Sequence, residues 1–259
     1  MKITSEHSGS DQLRLSAQKY GIWVVVAGAV ILHIMIAAQS VGPMYVYDEV
    51  GYVAGANVIA GDGADWSLCG SSYAVGYSAA LAPLWWLPVA PITVYQIAAF
   101  VSAALGALAI WPAAALARRF GAGRNSAIAI GVVVTLIPAR ALMDNYVLAE
   151  NPLTLLVLCA ALLALRVAKC QGPWPALALG VVAGLAAAVH SRALPLVAVT
   201  AVWLVARAAV KRTPWVGAAA GSIVALTVAG GGVAQQRRYR LPPLQHAIPP
   251  RTLSLTPAG

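Results

Sequence analysis

The sequence predicts an all-α membrane protein: a polytopic bundle of about seven transmembrane helices, with short interfacial helices in a loop on the outer face. Three observations predict it. Of 259 residues, 60% are hydrophobic and only 10% charged, where a soluble domain carries about 25% charged residues; the mean hydropathy is +0.78. Apolar runs long enough to cross a bilayer recur along the chain. Basic residues gather in small groups at the ends of those runs, where they orient a membrane protein. Ala, Val, Leu and Gly dominate while Phe occurs twice, a composition suited to closely packed helices.

The net charge of +9 does not make the chain a nucleic-acid binder, because no compact basic face with interleaved aromatics is present. Cys69, Cys159 and Cys170 lack metal-ligand spacing. On the topology below they lie outside, within a span and inside, so they form no disulfide framework.

Residues 1–20, with Lys2, Arg14 and Lys19, read as a cytoplasmic tail. The first span is 21–41. A cleaved signal peptide, with Ala38 and Ser40 before the cut, is the alternative, but the apolar run exceeds the usual ~7–15 residues, which favours an uncleaved anchor. Residues 42–92 form an external loop, whose first part, 42–75, holds Asp48, Glu49, Asp62 and Asp65, half of the chain's acids, and no Lys or Arg. That sign asymmetry fits an outside location. Within it Val50, Val53, Ala54, Asn57 and Val58 fall at helical spacing. They predict a short interfacial helix that rests its apolar side on the membrane and ends at Gly61-Asp62-Gly63.

Residues 76–91 are apolar but short, with Pro83, Pro88 and Pro91 and the interface-type pair Trp85-Trp86. Counting them as a span would put Arg118, Arg119 and Arg124 outside, so they read as a juxtamembrane or re-entrant element. The remaining spans are 93–117, 126–143, 148–168, 174–189, 193–210 and 215–234. Basic clusters 118–124, 166–169 and 211–212 then share the side of the N-terminus, which makes this an integral plasma (inner) membrane protein with a cytoplasmic N-terminus. After the last span the charge rule fails, at Arg237, Arg238 and Arg240. The organisation is thus a tail 1–20, a helical membrane domain 21–236, and a Pro- and Arg-rich tail 237–259 that lacks periodicity and reads as disordered.

On this topology four sets of polar residues collect at the outer face: Asp48/Glu49, Asp144, Glu150 and His190/Arg192. Ionisable groups at or in a membrane mark functional sites by default. Asp48-Glu49 sits among aromatics just past the first span, a setting that can raise a carboxylate toward the range of a general base; a solvated acidic pair at a span end is the plain alternative. Adjacent residues point different ways, so one could take a proton while the other orients its surroundings. Glu150, in Tyr146-Val-Leu-Ala-Glu150-Asn151-Pro152, is equally explained by a helix N-terminus, with Pro152 in the first turn. Arg192 departs from the charge rule and carries the fork geometry that grips phosphate oxygens, with snorkelling as the plain alternative. Arg140 is a second outward cation with a weaker case. His33, mid-span, reads as a helix–helix hydrogen bonder. No Walker loop, GxSxG, HExxH or paired CxxC is present, so a nucleotide-driven enzyme is not indicated.

The order of these elements resembles the GT-C membrane glycosyltransferases, and most closely their polyprenyl-phosphate-sugar-dependent branch, which includes protein mannosyltransferases and the aminoarabinose transferase of lipid A. The resemblance rests on a first span, an external loop with the Asp48-Glu49 pair, and the Pro- and Trp-rich stretch after Gly76-Tyr77-Ser78. It extends through Ala117-Arg118-Arg119-Phe120-Gly121, then Tyr146 to Pro152, then Gly184 to Arg192, covering about residues 20–212. It implies an inverting transfer of a sugar from a polyprenyl-phosphate donor in the outer leaflet to an acceptor hydroxyl on a glycan, lipid or protein. In it Asp48 is the general base, Glu49 supports it, Arg192 with His190 meets the donor phosphate, and Glu150 lies near the acceptor or steadies the loop. No cofactor is implied; a divalent metal is possible in such enzymes but not favoured here. The family's members are usually longer, so the resemblance also implies a truncated member, inactive or acting as an accessory protein that binds lipid or a partner. A transporter is disfavoured because neither repeats nor midplane helix breaks are evident.

Overall fold

The computed structural model describes residues 7–39, 42–43, 47–61, 74–169 and 173–211, with Ile223 and Leu226. Most of the expected seventh span, the C-terminal tail, Cys69, Cys170 and all of 62–73 lie outside them. Among the described residues the protein is helical throughout, with no strand. Cys159, half-buried in a helix, is a free thiol.

In chain order the helices are α1 (His7–Ala37), α2 (Tyr47–Ala60), α3 (Val75–Leu81), α4 (Pro91–Leu108), α5 (Ile110–Arg119), α6 (Arg124–Leu136), α7 (Pro138–Met143), α8 (Glu150–Lys169), α9 (Pro173–Val189) and α10 (Leu194–Lys211). Single 3-10 turns at Ala82–Trp86 and Ser191–Ala193 join neighbours. Proline opens α4, α7 and α9, where its missing N–H costs nothing and its fixed φ suits the first turn. Ile137, ahead of Pro138, is extended (φ −55°, ψ 128°), as the residue before proline must be. That break splits the expected third span, 126–143, into α6 and α7. Gly121 (φ +92°) reverses the chain between α5 and α6 in a conformation open to glycine at little strain.

Four helical stretches are long and apolar enough to cross a membrane: Tyr20–Ala37, Pro91–Arg119 (α4 with α5), Glu150–Lys169 and Ser191–Val210. They coincide with the first, second, fourth and sixth expected spans. The third and fifth correspond to the shorter apolar helices Arg124–Leu136 and Pro173–Val189. Residues 76–91 form α3 and a 3-10 turn, both too short to cross. The Pro91–Arg119 window is 61% buried against 22–28% for the other three, so α4–α5 is the central element and the others surround it. Exposed Val24, Ile31, Val133, Val199 and Val202 give the bundle an apolar outside, which water would penalise and hydrocarbon does not.

Helix α1 packs on α4, α5 on α6, and α8 on both α4 and α9, with α10 against α9. Small residues allow the close approaches. A Cβ at Gly131 would lie 2.7 Å from the Ile110 carbonyl oxygen, so α5 and α6 meet at backbone distance there. One core, of Val26, Ala107 and Ile110, joins α1, α4 and α5. A second, of Ala160, Leu179 and Leu204, joins α8, α9 and α10. A third sits at one end of the bundle and contains Ala37, Tyr52, Tyr77, Tyr95, Val147, Ala149 and Val189; it lies directly beneath the candidate site.

The helix expected over 50–58 is present as α2, ending at Gly61 (φ +87°). Its bundle-facing side is Glu49, Tyr52, Gly55 and Ala56, all buried. Val50 is exposed and Val53, Ala54, Asn57 and Val58 are half-buried; of that stripe, Val53 packs against the same core as Tyr52 and Ala56.

Candidate functional site

Glu49 and Asp48 occupy the first turn of α2, where the N-terminal dipole favours negative charge. They are not equivalent. Asp48 is half-buried, whereas Glu49 is completely buried. The Tyr95 hydroxyl of α4 donates to Glu49 Oε1 at 2.7 Å, and the Val147 backbone N–H donates to the same oxygen at 2.9 Å. Glu49 therefore ties α2 to the central helix and to the turn ahead of α8. Two donors on one carboxylate offset the cost of burying it.

The 144–149 turn leads into Glu150, the first residue of α8. Asn151 holds it, donating from Nδ2 to the Asp144 and Tyr146 carbonyls, each at 3.2 Å. Glu150 Oε1 lies 3.4 Å from His190 Nε2 and 3.7 Å from an Arg192 Nη. His190 caps the 3-10 turn after α9, its Nδ1 accepting from the Arg192 backbone N–H at 3.1 Å. That bond leaves Nε2 to carry a proton toward Glu150. The Arg192 side chain is 76% exposed, so its ion pair contributes little stability and its guanidinium can reach a ligand.

Helix α3 closes the arrangement. Ser78 Oγ donates to the Tyr52 carbonyl of α2 at 3.0 Å, and a Cβ at Gly76 would lie 2.4 Å from the Ala188 carbonyl oxygen. Glycine lets α3 touch the end of α9 two residues before His190. Contacts thus run from α2 through the turn to Glu150, on to His190, back along α9 to α3 and into α2 again. Tyr77, on α3, packs edge-on against Tyr52 with centroids 5.3 Å apart, and its hydroxyl bonds Ser102 of α4. Burial pushes the Tyr77 phenol up, which keeps it protonated.

Of the residues singled out in the sequence, Glu150, His190 and Arg192 are in direct contact, and Glu49 joins them through Val147. Asp48 adjoins Glu49 on the less buried side of α2. Asp144 does not face this group. It is buried beside Gly106 of α4, with Arg140 Nε 2.8 Å from Oδ1 and His33 Nδ1 3.9 Å from Oδ2. His33 is buried, but no hydrogen bond reaches either ring nitrogen, which corrects its reading as a helix–helix hydrogen bonder: the Asp144 carboxylate, 3.9 Å from Nδ1, is beyond hydrogen-bond distance. Sequence reasoning missed Tyr95, Asn151 and Thr154. Tyr95 alone carried a signal, as a phenol near the start of an apolar span, where a buried hydroxyl needs a partner.

Among the described residues no group of three or more His, Cys, Asp and Glu side chains could hold a metal ion. Comparison with protein-family models, with curated proteins and with solved structures returned no match.

Proposed function

We propose that the protein is a membrane glycosyltransferase of GT-C type, moving a sugar from a polyprenyl-phosphate donor to an acceptor hydroxyl at the outer face of the plasma membrane. The observation that supports it is the convergence of three separate motifs. Asp48-Glu49, Glu150 and His190/Arg192 meet at one end of the bundle, joined by Glu49 to Val147 and by Glu150 to His190. A half-buried carboxylate at the same end of the bundle as an exposed guanidinium and an imidazole N–H suits this reaction. The full reading includes about seven spans, an N-terminus inside and the α2–α3 loop outside, as the basic clusters suggest.

The chemistry assigned to each group follows from its setting. Asp48, less buried than Glu49, accepts the proton of the acceptor hydroxyl as its oxygen attacks the anomeric carbon. The carbon–oxygen bond to phosphate breaks with inversion, and polyprenyl phosphate leaves with the electron pair. Arg192 and His190 meet the developing phosphate charge. Glu150 holds Arg192 and His190 in place, and Glu49 is a positioning residue, with Tyr95 and Val147 donating to its Oε1.

The test is transfer of labelled sugar from polyprenyl-phosphate donors by membranes carrying the protein, with Asp48→Asn alongside. Transfer that Asp48→Asn abolishes is the expected result. Transfer that survives removes Asp48 as the base, and absence of transfer with every donor, from folded protein, overturns the enzyme reading in favour of an accessory lipid- or partner-binding role.

A further inference from the structure

Arg140 is the one cation on α7, and its guanidinium spans the 144–150 turn. Nε lies 2.8 Å from Asp144 Oδ1, a close ion pair whose N–H is not aligned on the oxygen. Nη1 donates to Thr154 Oγ1 at 2.7 Å. Thr154 Oγ1 in turn donates to the Glu150 carbonyl at 2.9 Å, which Nη2 also approaches at 3.5 Å. Asp144 stands at one end of the turn and Glu150 at the other, and one planar side chain grips both. The Asp144 end is wedged from behind: a Cβ on Gly106 would fall 2.6 Å from the carboxylate, and His33 of α1 closes the other oxygen. The turn's middle residue, Val147, is the one whose N–H meets buried Glu49.

We infer that Arg140 is a positioning residue: with Thr154 as its relay, it sets the spacing of the 144–150 turn and thereby the placement of the Glu150 carboxylate against His190 and Arg192. The inference rests on the glycosyltransferase reading of that site. It explains a cation that charge patterning leaves without a purpose, in a place where an unpaired guanidinium would be costly. Lysine is not equivalent here, since a single ammonium cannot address Asp144, Thr154 and the Glu150 carbonyl at once.

The experiment compares Arg140→Lys, Thr154→Val and Thr154→Ser in the full chain, reading donor KM, acceptor KM and hydrogen exchange at the Val147 amide. Arg140→Lys keeps the charge beside Asp144, and Thr154→Val keeps shape while cutting the relay, so the two variants perturb the turn by different routes. A mispositioned Glu150 raises donor KM by about 10-fold, within the range that ångström-scale misplacement produces, and leaves acceptor KM unchanged. Val147 exchange quickens while mid-helix amides of α4 and α9 stay protected, and Thr154→Ser restores both. A merely structural role lowers the apparent kcat with donor KM unchanged, and that result overturns the inference, as does unchanged Val147 exchange. If the wild type transfers nothing, the glycosyltransferase reading fails by itself. Exchange then decides: faster exchange in both variants upholds Arg140 as the residue that sets the turn, and unchanged exchange removes it.

Discussion

The Val147 backbone N–H donates to Glu49 Oε1 at 2.9 Å, joining residues 98 positions apart in a fully buried contact. Neither residue type is unusual where it stands. Together they bring the loop after the first helix onto the turn before α8, and so connect the acidic pair to the group that holds Glu150, His190 and Arg192.

Removal of that carboxylate is expected to be destabilising. Glu49→Ala strands the Tyr95 hydroxyl and the Val147 amide without an acceptor, at about 1–3 kcal/mol each. Glu49→Gln keeps the volume and one acceptor oxygen and should retain most of the stability. Thermal unfolding in detergent checks the order; an alanine variant as stable as glutamine would show that the two donors find other partners.

Asp48→Asn should separate activity from stability. The side chain is half-buried, so its unfolding midpoint should stay near that of the wild type, while sugar transfer falls by roughly 10²–10⁴-fold, the usual contribution of a general base. Parallel activity and melting measurements decide it. A matching loss of both would make Asp48 structural.

Gly76 offers a packing test. A methyl group there meets the Ala188 backbone carbonyl at 2.4 Å, an atom that cannot rotate away. Gly76→Ala should cost about 1–3 kcal/mol by overpacking and push α3 off α9. Gly28 is the control, since a methyl group added there would meet nothing within 4 Å. Gly28→Ala should be neutral or slightly stabilising because helix propensity rises. Equal effects at the two sites would refute the α3–α9 contact.

Burial pushes the Asp144 carboxyl up from 3.8, to about 6, against the pull of Arg140. A folded-state value above the unfolded one means that this group's contribution to stability is fully present below about pH 4 and is lost as pH rises through about 6. Asp144→Asn mimics the protonated form. It should therefore be no less stable than the wild type at pH 7, by a margin of order 1–3 kcal/mol that closes by pH 4. Chemical denaturation across that range reads it. A variant clearly weaker at pH 7 would mean that the pairing with Arg140 outweighs desolvation.

Much of the architecture was legible because it follows from local composition. Apolar runs with basic ends located all four span-length helices, and Gly61 and the prolines that open α4 and α9 marked boundaries, since left-handed backbone and missing N–H groups act within a residue or two; the break at Pro138 was not read, and one expected span, 126–143, is two helices. The acids at 48, 49 and 150 and the basic residues at 190 and 192 stood out because charge in an apolar chain is conspicuous. Which acid is buried did not stand out. Asp48 and Glu49 are neighbours with nearly the same chemistry, and only the rotation of α2, set by Gly51, Tyr52, Gly55 and Ala56 seating against the core, turns Glu49 inward.

The sequence by itself determined an all-helical, membrane-suited chain and a short roster of ionisable residues, because hydrophobicity and backbone propensity are properties of segments. The tertiary structure alone decided that Glu49 meets Val147 and Tyr95, that Glu150 meets His190 and Arg192, and that Arg140 reaches Thr154 and Asp144 while His33 finds no hydrogen bond. Those contacts depend on helix rotation and on close approach at Gly76, Gly106 and Gly131. Side-chain packing between distant segments sets both, and no local pattern encodes it.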